Sequence, residues 1–150
     1  MMSGFFFAYA FSVNLGLHKL DNKAYLLAMQ NINKETLNPV FYICFFGALV
    51  LLVVSSILHF DVHSPKSNRI LAACISYIFG VFIVTGLRNV PLNDQLAIFD
   101  VANASEKSME NIRYRFENSW VFWNSVRTLA SFITLVCLII SVVFRDSTNN

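Results

Sequence analysis

Trp120, Asn124, Arg127 and Ser131 recur at steps of four, three and four within an otherwise apolar run from Trp120 to Phe144. That spacing puts all four on one face of a helix, and the run is long enough to cross a bilayer at about 1.5 Å per residue. A guanidinium at membrane depth costs about 2.5 to 3.5 kcal/mol on insertion scales, so this face must turn towards other polar groups. The remaining apolar segments supply them at one end only: Asn14 on the first, Asn38 before the second, and Arg88, Asn89, Asn93 and Asp94 after the third. Two arrangements satisfy such a set. One is a pocket walled by Trp120, Trp123 and Phe side chains and lined by Asn, Asp and Arg. The other is a knot of interhelical hydrogen bonds, with Arg127 tied by Asp94 or by helix-end carbonyls and Trp120 in an interfacial belt.

The elements that must carry these residues follow from composition. Only 13% of the 150 residues are Asp, Glu, Lys or Arg and 56% are hydrophobic, against about 25% charged in a soluble domain. Twenty charged side chains cannot cover a water-facing surface of this size, so most of the chain is solvated by lipid. Apolar runs at about 1–17, 40–60, 70–87 and 120–144 give four crossings. The expected fold is all-α, a four-helix transmembrane bundle forming a single integral membrane domain over residues 1–150. The first run is short, which calls for tilt, local thinning or an upstream start. It lacks the basic leading segment of a cleaved signal peptide.

Four crossings place the connections His18 to Asn38 and Arg88 to Ser119 on one side, here the long-loop face. Lys19, Lys23, Lys34, Arg88, Lys107, Arg113 and Arg115 fall there, against Lys66, Arg69 and Arg145 opposite. The excess predicts a multi-pass cell-membrane protein with a cytoplasmic long-loop face. Tyr25, Ala28, Met29 and Ile32 have helical spacing, predicting a short amphipathic helix in the first long loop. Asn38 and Pro39 read as an N-cap followed by a first helical residue. Pro91 disfavours helix at Val90 and predicts a turn there. Asn103 with Glu106 resembles a capping box, and Met109, Ile112, Phe116, Trp120 and Trp123 continue a stripe into the last crossing. One long helix, roughly 104–144, is therefore expected to protrude from the membrane, and Gly80 and Gly86 are candidates for close helix approach.

Other constellations carry less. His59 and His63 flank Asp61 at metal-ligand spacing, but beside Pro65, where the helix is ending, and no metal is expected. Cys44, Cys74 and Cys137 lie singly in separate apolar runs without a Cys-x-x-Cys pair. They read as apolar fillers, which argues against a thiol oxidoreductase. The basic residues are scattered at a net charge of +2, so no nucleic-acid footprint is present. Phosphate-loop, nucleophile-elbow and zinc-protease motifs are missing as well. Membrane lipid is the partner that composition demands, and oligomeric state is left open.

The segments Phe11 to Leu17, Ala28 to Asn33, Leu37 to Phe41 with Phe46-Gly-Ala48, Asn89-Val-Pro-Leu-Asn-Asp94 and Trp120-x-x-Trp-Asn-x-x-Arg-Thr-x-x-Ser131 resemble the anthrone-oxygenase-like membrane family. Its members usually have a longer first hydrophobic segment, in keeping with an upstream start. The resemblance implies a multi-pass membrane protein. In one branch of the family it implies an oxygenase that converts an anthrone to an anthraquinone without an evident metal or flavin, hence no cofactor. Placed on that chemistry, Asp94 becomes the base, and Arg127 with Asn124 or Asn89 holds the oxyanion. Asn14, Asn89, Asn93, Trp120 and Trp123 become the binding residues for a flat aromatic molecule. The alternative is a non-catalytic bundle that binds a hydrophobic ligand, or a membrane-protein partner through Met109, Ile112 and Phe116.

Overall fold

The computed structural model describes residues 1–144 and contains five helices and no strand among them. Helix α1 spans Met2–Leu17, α2 Asn22–Thr36, α3 Pro39–Leu58, α4 Pro65–Ala97 and α5 Glu106–Val143. Arg145, counted above on the short-loop face, lies outside the described residues. Helices α3, α4 and α5 are each long and apolar enough to cross a membrane, whereas α1 is apolar but shorter. Only 11% of the most apolar window of α3 is buried, so most of its side chains face outward, as hydrocarbon solvation requires and water would not tolerate. The chain is a membrane protein by this measure.

Local chemistry sets the helix ends. Asp21 accepts from the Ala24 N–H at 2.8 Å to start α2. Asn38 accepts from the Phe41 N–H at 3.0 Å, with Pro39 at the first helical position, as its sequence suggests. Ser64 and Pro65 repeat that device for α4. The expected capping box at Asn103 is not formed. Ser105 caps α5 instead, because Asn103 is occupied by Asp100, to whose Oδ2 its amide donates at 2.8 Å. Those hydrogen bonds hold the exposed Asp100 carboxyl below the usual carboxylate range.

The turn expected at Val90 is also absent, and the third apolar helix extends to Ala97 instead of ending near Leu87. The backbone widens into π-helical turns at Ile78–Ile83 and Thr85–Asn89. A proline removes an N–H and crowds the carbonyl one turn before it. The wide turn just ahead of Pro91 provides room for that ring without a break. A third π-helical turn, Tyr9–Val13, interrupts α1.

Packing forms two cores. Met2, Phe6, Phe45, Leu52, Ala73, Cys74, Tyr77, Val81 and Ala130 make the lower one, with Cys44 and Cys137 packed against it. The cysteines are thus filler, and all three are free thiols. A Cβ on Gly80 would collide with Ala130 Cβ, so glycine here lets α4 approach α5; Gly86 has no such neighbour. An interhelical hydrogen bond from Ser76 Oγ to the Ala130 carbonyl at 2.9 Å supplements this contact, and one from Tyr77 Oη to the Phe45 carbonyl at 2.9 Å joins α4 to α3. The second core joins α2 to the end of α4 and the first turns of α5 through Tyr25, Leu26, Met29, Leu96, Met109, Phe116 and Trp120. Met109 and Phe116 are buried there, with Ile112 packed alongside. The stripe proposed for a partner protein is therefore spent inside the chain.

Two side chains lock this second unit. Gln30 Nε2 donates to the carbonyls of Leu96 and Phe99 at 2.8 and 2.9 Å, satisfying the open end of α4. Arg113 donates to the carbonyls of His18 and Leu20 and pairs with Glu117 at 2.9 Å, while its guanidinium lies 4.5 Å from the centre of the Tyr25 ring. Burial and the Glu117 carboxylate raise the Tyr25 phenol well above its ordinary value, against the opposing charge of Arg113.

Candidate functional site

Between the two cores lies a cavity of about 340 Å³. Four of its polar lining residues are those singled out by spacing: Asn89, Asn93 and Asp94 from α4, and Arg127 from α5. Trp120 closes one wall and Phe41, Phe45 and Phe82 much of another. The Phe45 ring stacks with Phe41 at 5.5 Å and with Phe82 at 5.5 Å, giving a continuous aromatic surface. Such a volume, apolar walls and few convergent polar groups match the usual dimensions of a small-molecule site.

Arg127 is 6% exposed and sits between rings, 4.7 Å from the Phe6 centroid and 5.5 Å from that of Trp120. Its protein hydrogen bonds are few and long, Nη1 to Thr85 Oγ1 at 3.5 Å and Nη2 to Asn124 Oδ1 at 3.2 Å, and its Nε has none. No carboxylate pairs with it among the described residues; the ion pairs there are His18–Glu117 and Arg113–Glu117. The hydrogen-bond knot tied by Asp94 is therefore not formed. A guanidinium has five N–H donors, so most of this one's capacity is uncommitted and directed at a space lined by rings.

Asn124 is fully buried behind Arg127 and does not line the cavity. Its amide donates to the Phe6 carbonyl at 3.4 Å while its oxygen accepts from Arg127, so it orients the guanidinium and ties α5 to α1. Trp120 is fixed by its indole N–H, which donates to Asn93 Oδ1 at 3.0 Å. Asn93 is thus a strut for the Trp wall as well as a lining residue. Asp94 is exposed at the cavity edge. Asn89 is 1% exposed, and neither its Nδ2 nor its Oδ1 has a protein partner.

Two expected residues lie elsewhere. Trp123 faces away from the cavity lining and packs under Arg88, whose guanidinium is 4.9 Å from its ring centre. Asn14 is buried with an unpaired Nδ2 but is not a lining residue. Other lining residues were not singled out from sequence. Thr85 receives Arg127; Tyr9 and Phe5 come from α1; Asn33 and Thr36 come from the end of α2 and Leu37 from just beyond it. Asn33 stands four residues after Met29 on the buried face of α2, and Thr85 four before Asn89, so helical phase was the available signal. All three π-helical turns carry lining residues, Tyr9 in one, Phe82 in the second, and Thr85, Gly86 and Asn89 in the third. Such turns often accompany functional sites.

No curated protein and no solved structure matches the chain in comparison searches. The family model described as anthrone oxygenase matches residues 40–137, a span that holds α3 but for its first residue, all of α4 and most of α5. It contains Asn89, Asn93, Asp94, Trp120, Asn124 and Arg127, while Tyr9, Asn33 and Thr36 precede it. With a match over well more than half its length, the chain belongs to the anthrone oxygenase family.

Proposed function

We propose that the chain crosses the cell membrane four times, with α1 as the short crossing and the long-loop face in the cytoplasm. In this reading the cavity binds a flat, electron-rich aromatic molecule of the anthrone type and oxygenates it with no added cofactor. The observation that carries the reading is Arg127, a guanidinium without a carboxylate partner facing an aromatic-walled cavity. An anthrone's central methylene is acidic because its conjugate base is an aromatic enolate. Asp94 takes that proton, and Arg127 donates to the enolate oxygen as charge develops there. The carbanion carbon bonds to dioxygen, and the peroxide formed takes up a proton. Loss of water with the second methylene hydrogen then leaves a carbonyl. Two C–H bonds are exchanged for one C=O, and the other oxygen atom leaves as water. The ring walls hold the plane of the molecule and keep bulk water from the carbanion.

Oxygen uptake by the purified protein in lipid nanodiscs with an anthrone, abolished in Arg127→Ala while the fold persists, supports this reading. The absence of uptake with any electron-rich aromatic defeats it. The exposure of Asp94 favours a second reading, a cavity that binds a hydrophobic ligand without transforming it. Saturable binding of the anthrone with no oxygen consumed would establish that alternative.

A further inference from the structure

Asn89 presents an unusual demand. It is 1% exposed, it lines the cavity, and both its amide nitrogen and its amide oxygen lack protein partners. Leaving a buried polar group unpaired costs about 1 to 3 kcal/mol, and here two such atoms sit on one side chain. The π-helical turn Thr85–Asn89 puts this residue at the inner wall. Asn33, which lines the same cavity from α2, offers a further buried Nδ2 without a partner. Most of the remaining lining is aromatic or aliphatic, so the unpaired amides stand out among the few polar groups that face this space.

We propose that Asn89 is a specificity-determining residue that reads a hydroxyl group on the bound aromatic molecule. A hydroxyl is the smallest group able to serve both ends of a primary amide, since it donates to Oδ1 and accepts from Nδ2. A carbonyl or ether oxygen satisfies Nδ2 alone, and a bare ring edge satisfies neither. Selection therefore works through what a wrong ligand leaves unpaired, and sites of that kind discriminate more sharply than apolar contact can. Asn33 adds a second donor and favours ligands with an additional acceptor. This inference rests on the reading that the cavity binds a flat aromatic molecule, and it is independent of whether that molecule is oxygenated.

The test uses anthracene and 2-hydroxyanthracene, neither of which has an acidic methylene, so binding is measured apart from turnover. Both are titrated by their own fluorescence into nanodiscs that carry the wild-type chain, Asn89→Leu, Asn89→Ser or Asn33→Leu. Each affinity is divided by the wild-type value for the same probe, which removes the difference in lipid partitioning. Asn89→Leu is expected to weaken 2-hydroxyanthracene about 5- to 150-fold, the loss of one buried hydrogen-bonded pairing, and to leave anthracene unchanged or tighter. Asn89→Ser, which keeps a donor and an acceptor, should recover part of the discrimination, and Asn33→Leu should leave it in place. Equal weakening of both probes, or no change in either, overturns the role of Asn89 while the cavity reading stands. If neither probe binds any form of the protein, both fall. Discrimination without oxygen uptake from an anthrone supports the inference and counts against the oxygenase.

Discussion

Replacing Arg127 with Met separates a working guanidinium from a structural one, because the two predict different stabilities. The side chain is buried and unpaired by any carboxylate, with hydrogen bonds of 3.5 and 3.2 Å to Thr85 and Asn124. Met keeps most of the stem that packs beside Phe6 and Trp120 and removes the charge. Exchanging buried ionic groups for well-packed apolar side chains is often neutral or stabilising by about 1 to 4 kcal/mol. Against this, Asn124 Oδ1 loses its donor, at a cost of about 1 to 3 kcal/mol. The two nearly cancel, so Arg127→Met should unfold within about 2 kcal/mol of the wild type, measured by denaturant titration in a fixed detergent. Oxygen uptake with an anthrone should fall about 10²- to 10³-fold, the usual loss when an oxyanion donor is removed. The reasoning is refuted if the variant loses about 3 to 5 kcal/mol, the cost of breaking a buried charged network. It is equally refuted if uptake persists at the wild-type rate.

Asp94→Asn should cut the oxygenation rate about 10²- to 10⁴-fold, as for loss of a general base, with no change in the unfolding midpoint because the carboxylate is exposed and makes no ion pair. Gly80→Ala should destabilise the chain by about 1 to 3 kcal/mol through overpacking against Ala130; Ala130→Gly in the same chain should restore much of the loss, and an unchanged midpoint for the single variant would contradict the close approach. The phenol of Tyr25 is raised by burial and by Glu117, so its contribution to stability is complete below the unfolded value of about 10 and is lost as pH climbs beyond it. Limited proteolysis of the α2 region should accelerate above that pH in the wild type, and Tyr25→Phe should remove this Tyr25-dependent part of the acceleration.

Most of the architecture was readable because apolar length and helical phase are local properties. The amphipathic helix around Tyr25 and Met29, the Asn38–Pro39 start of α3 and the Gly80 contact all follow from residues within one or two turns. The convergence of Asn89, Asn93, Asp94 and Arg127 was legible for a different reason: polar groups in lipid must find company, and the apolar segments supplied it at only one of their ends. What was missed depends on tertiary placement. Asn33 enters the cavity because Gln30 and Arg113 dock α2 against the ends of α4 and the flank of α5, and no local pattern announces that docking. Trp123 shares the stripe with Trp120, yet one helical step turns it towards Arg88. Pro91 misled for a physical reason, since its usual effect on the preceding residue assumes an ordinary α-turn.

The widened turns of α4 have a geometric result. Tyr77, Val81, Thr85, Asn89 and Asn93 follow one another at intervals of four, and on a regular helix of 3.6 residues per turn that series would drift by about 160° around the axis. Slackening the winding keeps the ribbon nearly parallel to the helix, so one continuous strip serves the lower core at its start and the chamber at its end. Deleting a single residue between Thr85 and Asn89 would rewind the rod and swing Asn93 and Asp94 by about 100°, with every side chain chemically intact. The shape of the chamber is thus held by residue count as much as by residue identity.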